Sequence, residues 1–246
     1  MRFYLITLQF LTIIPLPFNT RCENEDLGRS TAVFPLAGLT IGALLVALNW
    51  LIAPWLARPL TDALLITALA AITGALHLDG LADVCDGLAA RGGRERFLAV
   101  MKDSHVGAVG AVGLVLGLLL KWQALLAVPP AHKWQALLLF LILARFGQVQ
   151  TIVFARNARQ DGLGLAMISG AGTVQLLVAW FLALAASWLL LGTGGLIVLF
   201  AIMISTWLLK AWFQHRLGGI TGDVIGCINE LNEILALIVI SALPGL

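Results

Sequence analysis

The stretch "LLITALAAITGALHLDGLADVCDGLAARGG", residues 64–93, runs from an apolar segment straight into three carboxylates, Asp79, Asp83 and Asp86. Its apolar half is typical of the whole chain. The 246 residues are 60% hydrophobic and 11% charged, with a mean hydropathy of +0.97. Soluble domains average about 45–50% apolar and about 25% charged residues. The composition therefore predicts an all-α, polytopic helical membrane protein. No polar block is large enough to fold as a separate soluble unit, so one domain is expected over residues 1–246.

Seven spans are expected within a bundle over residues 32–243: Ala32 to Leu56, Leu60 to Leu78, Val106 to Val128, Trp134 to Phe154, Val174 to Leu191, Leu196 to Phe213 and Val224 to Leu243. The start, residues 1–18, has one early Arg, no small-residue cleavage site, and Pro15 and Pro17 to stop it. It predicts an interfacial helix along the membrane and no removed signal peptide. Cys22, Cys85 and Cys227 form no C-x-x-C pair and are expected to be small buried residues. A net charge of +2, with scattered basic residues, excludes a nucleic-acid surface.

Lys and Arg set the orientation, because cytoplasmic loops carry an excess of them. One side holds Arg2, Arg21, Arg29, Arg91, Arg94, Arg96, Lys102, Arg156, Arg159, Lys210 and Arg216, and the other holds Arg58 and Lys133. The N-terminus is therefore expected inside. Residues 79–105, 156–173 and 214–223 then share the cytoplasmic face, which predicts one site built from three loops.

At about 100° per residue, Asp79, Asp83 and Asp86 fall within about 60° of one another on a helix, with Cys85 pointing away. Unpaired carboxylates about 6 Å apart repel by about 3 kcal/mol per pair at an effective dielectric near 20. A divalent cation relieves this. An all-oxygen set with no His or Cys in phase suits magnesium or manganese better than zinc.

A second acidic group lies in "GGITGDVIGCINELNEI", residues 218–234. Asp223 stands near its start. Glu230 lies seven residues on, along the same face and inside the last span. Glu233 lies off that face, where pairing with a neighbouring span is the competing reading. Gly222 opens this helix, whose first N–H groups suit a phosphate. Lys121 and Arg145 lie inside spans, either as partners for the acidic groups or as a phosphate clamp. The stretch "VMKDSHVGAVG", residues 100–110, adds Asp103, Ser104 and His105. Metal ligands beside basic side chains point to phosphoryl transfer.

Two other classes were weighed on the residues. The pattern D-x-x-D-G-x-x-A-R-x8-G-x3-D-x3-D of CDP-alcohol phosphotransferases is half present, as Asp83, Asp86, Gly87, Ala90 and Arg91. It fails at Val100, Ser104 and Ala108. A cation transporter would carry internal repeats and a midplane site. No repeat relates the two halves here, and buried Lys and Arg would repel a permeating cation.

The whole chain resembles the cobalamin synthase family, the adenosylcobinamide-GDP ribazoletransferases. The resemblance runs through "FPLAGLTIGAL" (34–44), "HLDGLADVCDG" (77–87), "MKDSHVGAVG" (101–110), "QDGLG" (160–164) and "GGITGDVIGCINELNE" (218–233). The chain departs from the family's T-R-x-P-x-P in having Ile13 where Arg is common. The resemblance implies a membrane-embedded, magnesium-dependent enzyme of the bacterial inner membrane. A hydroxyl of α-ribazole, or of its 5'-phosphate, would attack the phosphate joining cobinamide to GDP and expel GMP. In that chemistry Asp79, Asp83, Asp86 and Asp223 are expected to hold magnesium. Arg91, Lys102, Ser104, Lys121, Arg145 and Gly222 are expected to contact phosphates, and Asp103 or Glu230 to take the hydroxyl proton. The oligomeric state stays open, a homo-oligomer included.

Overall fold

The computed structural model describes residues 1–15, 24–159 and 162–243, so the expectations placed on Arg21, Cys22 and Gln160 lie outside the described residues. Those residues form eleven α-helices, and the only pairing of extended backbone among them is a parallel bridge between Asn157 and Ile220. A helix does form in the N-terminal segment, α1 (Arg2–Leu11). It packs on the bundle: Tyr4 Oη hydrogen-bonds Thr40 Oγ1 at 2.6 Å, and Phe10 stacks on Phe34 at 6.3 Å. After α2 (Asn24–Ser30), the long helices are α3 (Phe34–Ile52), α4 (Arg58–Ile72), α7 (Ala108–Ala127), α8 (Lys133–Ile152), α10 (Thr173–Leu217) and α11 (Gly222–Ala242). Short helices α5 (Leu76–Ala89), α6 (Arg94–Val100) and α9 (Leu163–Gly170) lie between them. Buried along most of its length, α8 forms the centre, with α3, α10 and α11 packed on it.

Two expectations change. The second span, Leu60 to Leu78, is not one helix. Gly74 and Ala75 both take left-handed backbone (φ 60° and 57°), and α5 leaves α4 at 90°. An alanine held there is strained, so the surroundings must fix it. The Ile13 N–H donates to Ile72 O at 2.9 Å and so docks the N-terminal segment onto the bend. Ile13, the departure from the family pattern, therefore packs at the hinge that sets the direction of the carboxylate helix.

The fifth and sixth expected spans are the two arms of α10. At about 1.5 Å per residue its 45 residues would run about 68 Å, twice the apolar core of a bilayer. The chain breaks at Gly192 (φ 55°, ψ −130°), and a Cβ on Gly195 would lie 2.0 Å from Ser187 O. That contact requires the chain to double back. Five helices are long and apolar enough to cross a membrane, or six counting α4 and α5 as one broken span. Counted as whole helices these are fewer than the seven expected spans, because α10 joins two of them.

At the far end of α4, the two basic residues that ran against the charge rule are tied to one buried acid. Lys133 Nζ lies 2.6 Å from Asp62 Oδ1, and Arg58 Nε lies 3.8 Å from Asp62 Oδ2.

Candidate active site

Close packing of α5 on α11 builds the site. A Cβ on Gly80 would lie 2.6 Å from Asp223 O, so only glycine lets the start of α11 approach this near. That approach sets Asp79 and Asp223 around one cavity of about 160 Å³, which His77, Gln148, Asn157 and Arg159 also line. Gly222 lines it too, at the start of α11, where Thr221 Oγ1 accepts from the Val224 N–H at 3.2 Å. The loops are pinned from both sides. Ile220 N donates to Arg156 O at 2.7 Å and Ala158 N donates to Ile220 O at 3.0 Å. Arg94 donates to Leu217 O at 2.6 Å and to Ala158 O at 2.8 Å. The expectation that three separate loops meet at one site holds.

Asp83, one turn beyond Asp79 and past the bend, is half-buried. Burial first, then the nearby charges of Asp79 and Asp223, push its carboxyl up to about 6. Arg159 pulls the other way, and its Nη1 lies 3.1 Å from Asp223 Oδ2.

Asp86 shares the face but has its own partners. Its carboxylate accepts from Gly107 N at 2.7 Å and Gly110 N at 2.8 Å, capping the first turn of α7. A neighbouring cavity is lined by Asp86, Arg91, Arg96, Asp103 and His105. Asp103, Ser104 and Lys102 form an exposed turn there. Asp103 accepts from the His105 backbone N–H at 3.0 Å and lies 2.6 Å from its Nδ1. These bonds hold the Asp103 carboxyl below its ordinary range, which suits a turn and not a base.

Three expectations are corrected. Lys121, Arg145 and Glu230 do not reach the cavity of Asp79 and Asp223. Lys121 Nζ touches Glu230 Oε2 at 2.5 Å and Glu233 Oε2 at 2.6 Å, Arg145 pairs with Glu233, and all four are buried. Two cations balance two anions, so no charge is left for a phosphate. Glu230, committed to an ammonium, is not placed to take a proton from substrate. The partner reading of Lys121 and Arg145 is the one the fold adopts, with Glu233 as the shared acceptor.

His77 joins this network to the cavity. Asn229 Nδ2 donates to Glu233 Oε1 at 2.9 Å and faces His77 Nδ1 at 3.2 Å, so Nδ1 accepts and the proton sits on Nε2. Gln148 lies 2.8 Å from that Nε2 and its Oε1 lacks a partner among the described residues; turning the amide over lets Oε1 accept. Ligand atoms of His77, Glu230 and Glu233 come within 4.8 Å of one another, but Lys121 and Asn229 already occupy their oxygens.

Arg159, Asn157, His77 and Gln148 were not singled out from sequence. Arg159 entered only the loop charge count. Its place beside "QDGLG" was the available signal.

The fold and site define a helical protein with spans of membrane length and an acidic, arginine-bearing pocket at one end of its bundle. The family model described as Cobalamin-5-phosphate synthase matches residues 3–241, and the chain belongs to that family. An adenosylcobinamide-GDP ribazoletransferase of Geotalea daltonii is 60% identical over 245 residues, covering 100% of this chain and 99% of that protein. Proteins of the same name from Acetivibrio thermocellus (34% identical, 95% of each chain) and Roseiflexus sp. (36%, covering 94% of this chain and 85% of that protein) are also similar. No solved structure matches.

Proposed function

We propose that the chain is a membrane-embedded, magnesium-dependent transferase. It joins adenosylcobinamide-GDP to α-ribazole or its 5'-phosphate and releases GMP, on the cytoplasmic side of the bacterial inner membrane with the N-terminus inside. The observation that carries this is the convergence of Asp79, Asp83, Asp223 and Arg159, from two helices and one pinned loop, in a chain 60% identical along its length to a protein named for that reaction.

The donors suit magnesium. They are hard carboxylate oxygens, and the upward push on Asp83 comes first from burial and then from the negative charges of Asp79 and Asp223. Octahedral ligands at about 2.1 Å lie at most about 4.2 Å apart. Among the described residues no three aspartate oxygens meet within 4.8 Å, which fits an ion held by one or two carboxylates, with substrate oxygens completing the shell. Asp79 and Asp223 are the two that face the cavity. The ion would neutralise the charge on the bridging phosphate.

The chain's own residues supply the rest. Arg159 and the first turn of α11 at Gly222 face the phosphates. Asp79 and Asp223 line the cavity and Asp83 stands one turn on from Asp79; the carboxylate of this group that the ion does not engage takes the proton of the attacking ribazole hydroxyl as the new P–O bond forms and the bond to GMP breaks. Asp86 anchors α7 against α5 and keeps the carboxylate face in register.

The test is GMP release from adenosylcobinamide-GDP plus α-ribazole 5'-phosphate by protein in nanodiscs, beside Asp79→Asn and Asp223→Asn. Release that needs both substrates and magnesium, and is lost in both variants, supports the reading. A folded, inserted protein that releases no GMP ends it.

A further inference from the structure

We propose that Arg159 binds the diphosphate of the nucleotide-activated substrate, and that Asp223 holds this guanidinium in reserve until its carboxylate turns to the metal. The inference rests on the reaction proposed above and adds a switch between two partners of one carboxylate.

Four observations converge. The spans' own cations, Lys121 and Arg145, are consumed by Glu230 and Glu233, so phosphate charge in this cavity must be met by something else. Arg159 lines the cavity with its side chain 18% exposed, reachable by substrate yet mostly dry. Its guanidinium is only part-used: Nη1 pairs with Asp223 at 3.1 Å and Nη2 reaches Leu98 O at a long 3.5 Å, while the buried Nε has no partner among the described residues. Its backbone is built in, because the preceding residues bridge to Ile220 and are clamped by Arg94.

A guanidinium presents five N–H donors in a planar fork that matches two phosphate oxygens, and such charge-assisted pairs strengthen where water is excluded. In the ion-free protein Asp223 competes for that fork and repels the incoming anion. Once the carboxylate is engaged by a divalent ion, both obstacles go. Metal and diphosphate then bind cooperatively through one residue pair.

The scheme predicts opposite signs for the two partners. GDP binding to the full chain in nanodiscs is measured by calorimetry with and without magnesium, without turnover. With magnesium, Arg159→Gln weakens GDP binding by about 10- to 100-fold, the loss of a hydrogen-bonded charge pair. Without magnesium, Asp223→Asn tightens it several-fold, because it frees the fork and removes a negative charge. Arg159→Lys falls between, keeping the charge and losing the fork. Unchanged GDP affinity with magnesium in a folded Arg159→Gln overturns the assignment, as does weaker binding without magnesium in Asp223→Asn. If Arg159→Gln fails to fold, the Lys variant and the Asp223 variant decide it alone. Failure of the wild type to release GMP from adenosylcobinamide-GDP would defeat the proposed reaction, while the GDP titration still reads the Arg159–Asp223 relation.

Discussion

Replacing Lys121 by Met separates its two sequence-level roles, structural partner and phosphate clamp. Its side chain is 2% exposed and its ammonium lies 2.5 Å and 2.6 Å from oxygens of Glu230 and Glu233. Without it, Arg145 alone faces two buried carboxylates, and one is uncompensated. Removing one partner of a buried pair costs about 3–5 kcal/mol. An independent bound comes from the escape route, in which the orphaned carboxyl takes up a proton. At pH 7, against an ordinary glutamate pKa of about 4.3, that costs about 3.7 kcal/mol. A chain of this size loses roughly 2–4 °C per kcal/mol, so the melting temperature should fall by roughly 7–15 °C at pH 7. At pH 5 the same bound shrinks to about 1 kcal/mol, so the deficit narrows as pH falls. Adding Glu230→Gln removes the extra charge and should recover most of the loss. The assay is tryptophan-fluorescence melting in nanodiscs at both pH values. A melting temperature equal to wild type, with weakened GDP binding, would refute the buried-network account and restore the clamp.

Asp83→Asn removes one carboxylate of the crowded group, and stability reads that crowding. Because burial raises the Asp83 pKa, the folded chain holds its proton more tightly than the unfolded chain, and stability is lost as pH rises through about 6. In magnesium-free buffer the Asn variant should therefore melt higher than wild type at pH 8 and equally at pH 4; a lower melting temperature at pH 8 contradicts the charge crowding. Gly80→Ala drives a methyl to 2.6 Å from Asp223 O and should cost about 1–3 kcal/mol while cutting GMP release more than the loss of folded protein explains. Asp86→Asn keeps one acceptor for two N–H groups and should cost about 1.5–3 kcal/mol with magnesium half-saturation unchanged. A shift in that half-saturation would return Asp86 to the metal set.

The carboxylate face was legible because helical spacing is local: Asp79, Asp83 and Asp86 do lie on one short helix. The bend before it was not. Nothing in an alanine's propensity announces a left-handed φ at Ala75; the docked Ile13 segment and the packing of α5 on α11 impose it. The roles of Lys121 and Arg145 were illegible for a related reason. Spacing along one helix states which residues share a face, not which neighbour that face meets. On α11 that ambiguity decides everything, since Asp223 and Glu230 share a face yet serve different ends. Two turns of helix carry Glu230 into the bundle, where Lys121 waits, while Asp223 stays at the rim. Arg159 was hidden by its loop, where a basic residue reads as topology before it reads as chemistry.

The two charge groups differ in sum, and that difference explains their division of labour. Lys121, Arg145, Glu230 and Glu233 cancel, so the network is balanced in charge with no ion bound and ties α7, α8 and α11 together. Asp79, Asp83 and Asp223 outnumber Arg159, leaving a formal −2 when all are ionised, the charge one divalent cation neutralises. A pocket with that imbalance stays assembled only if something neutral braces it. His77 provides the brace: its ring lines the pocket on one side and meets Asn229, and through it Glu233, on the other. The buried ions thus cancel one another's charge, while the charge around the pocket is left for a cation to complete.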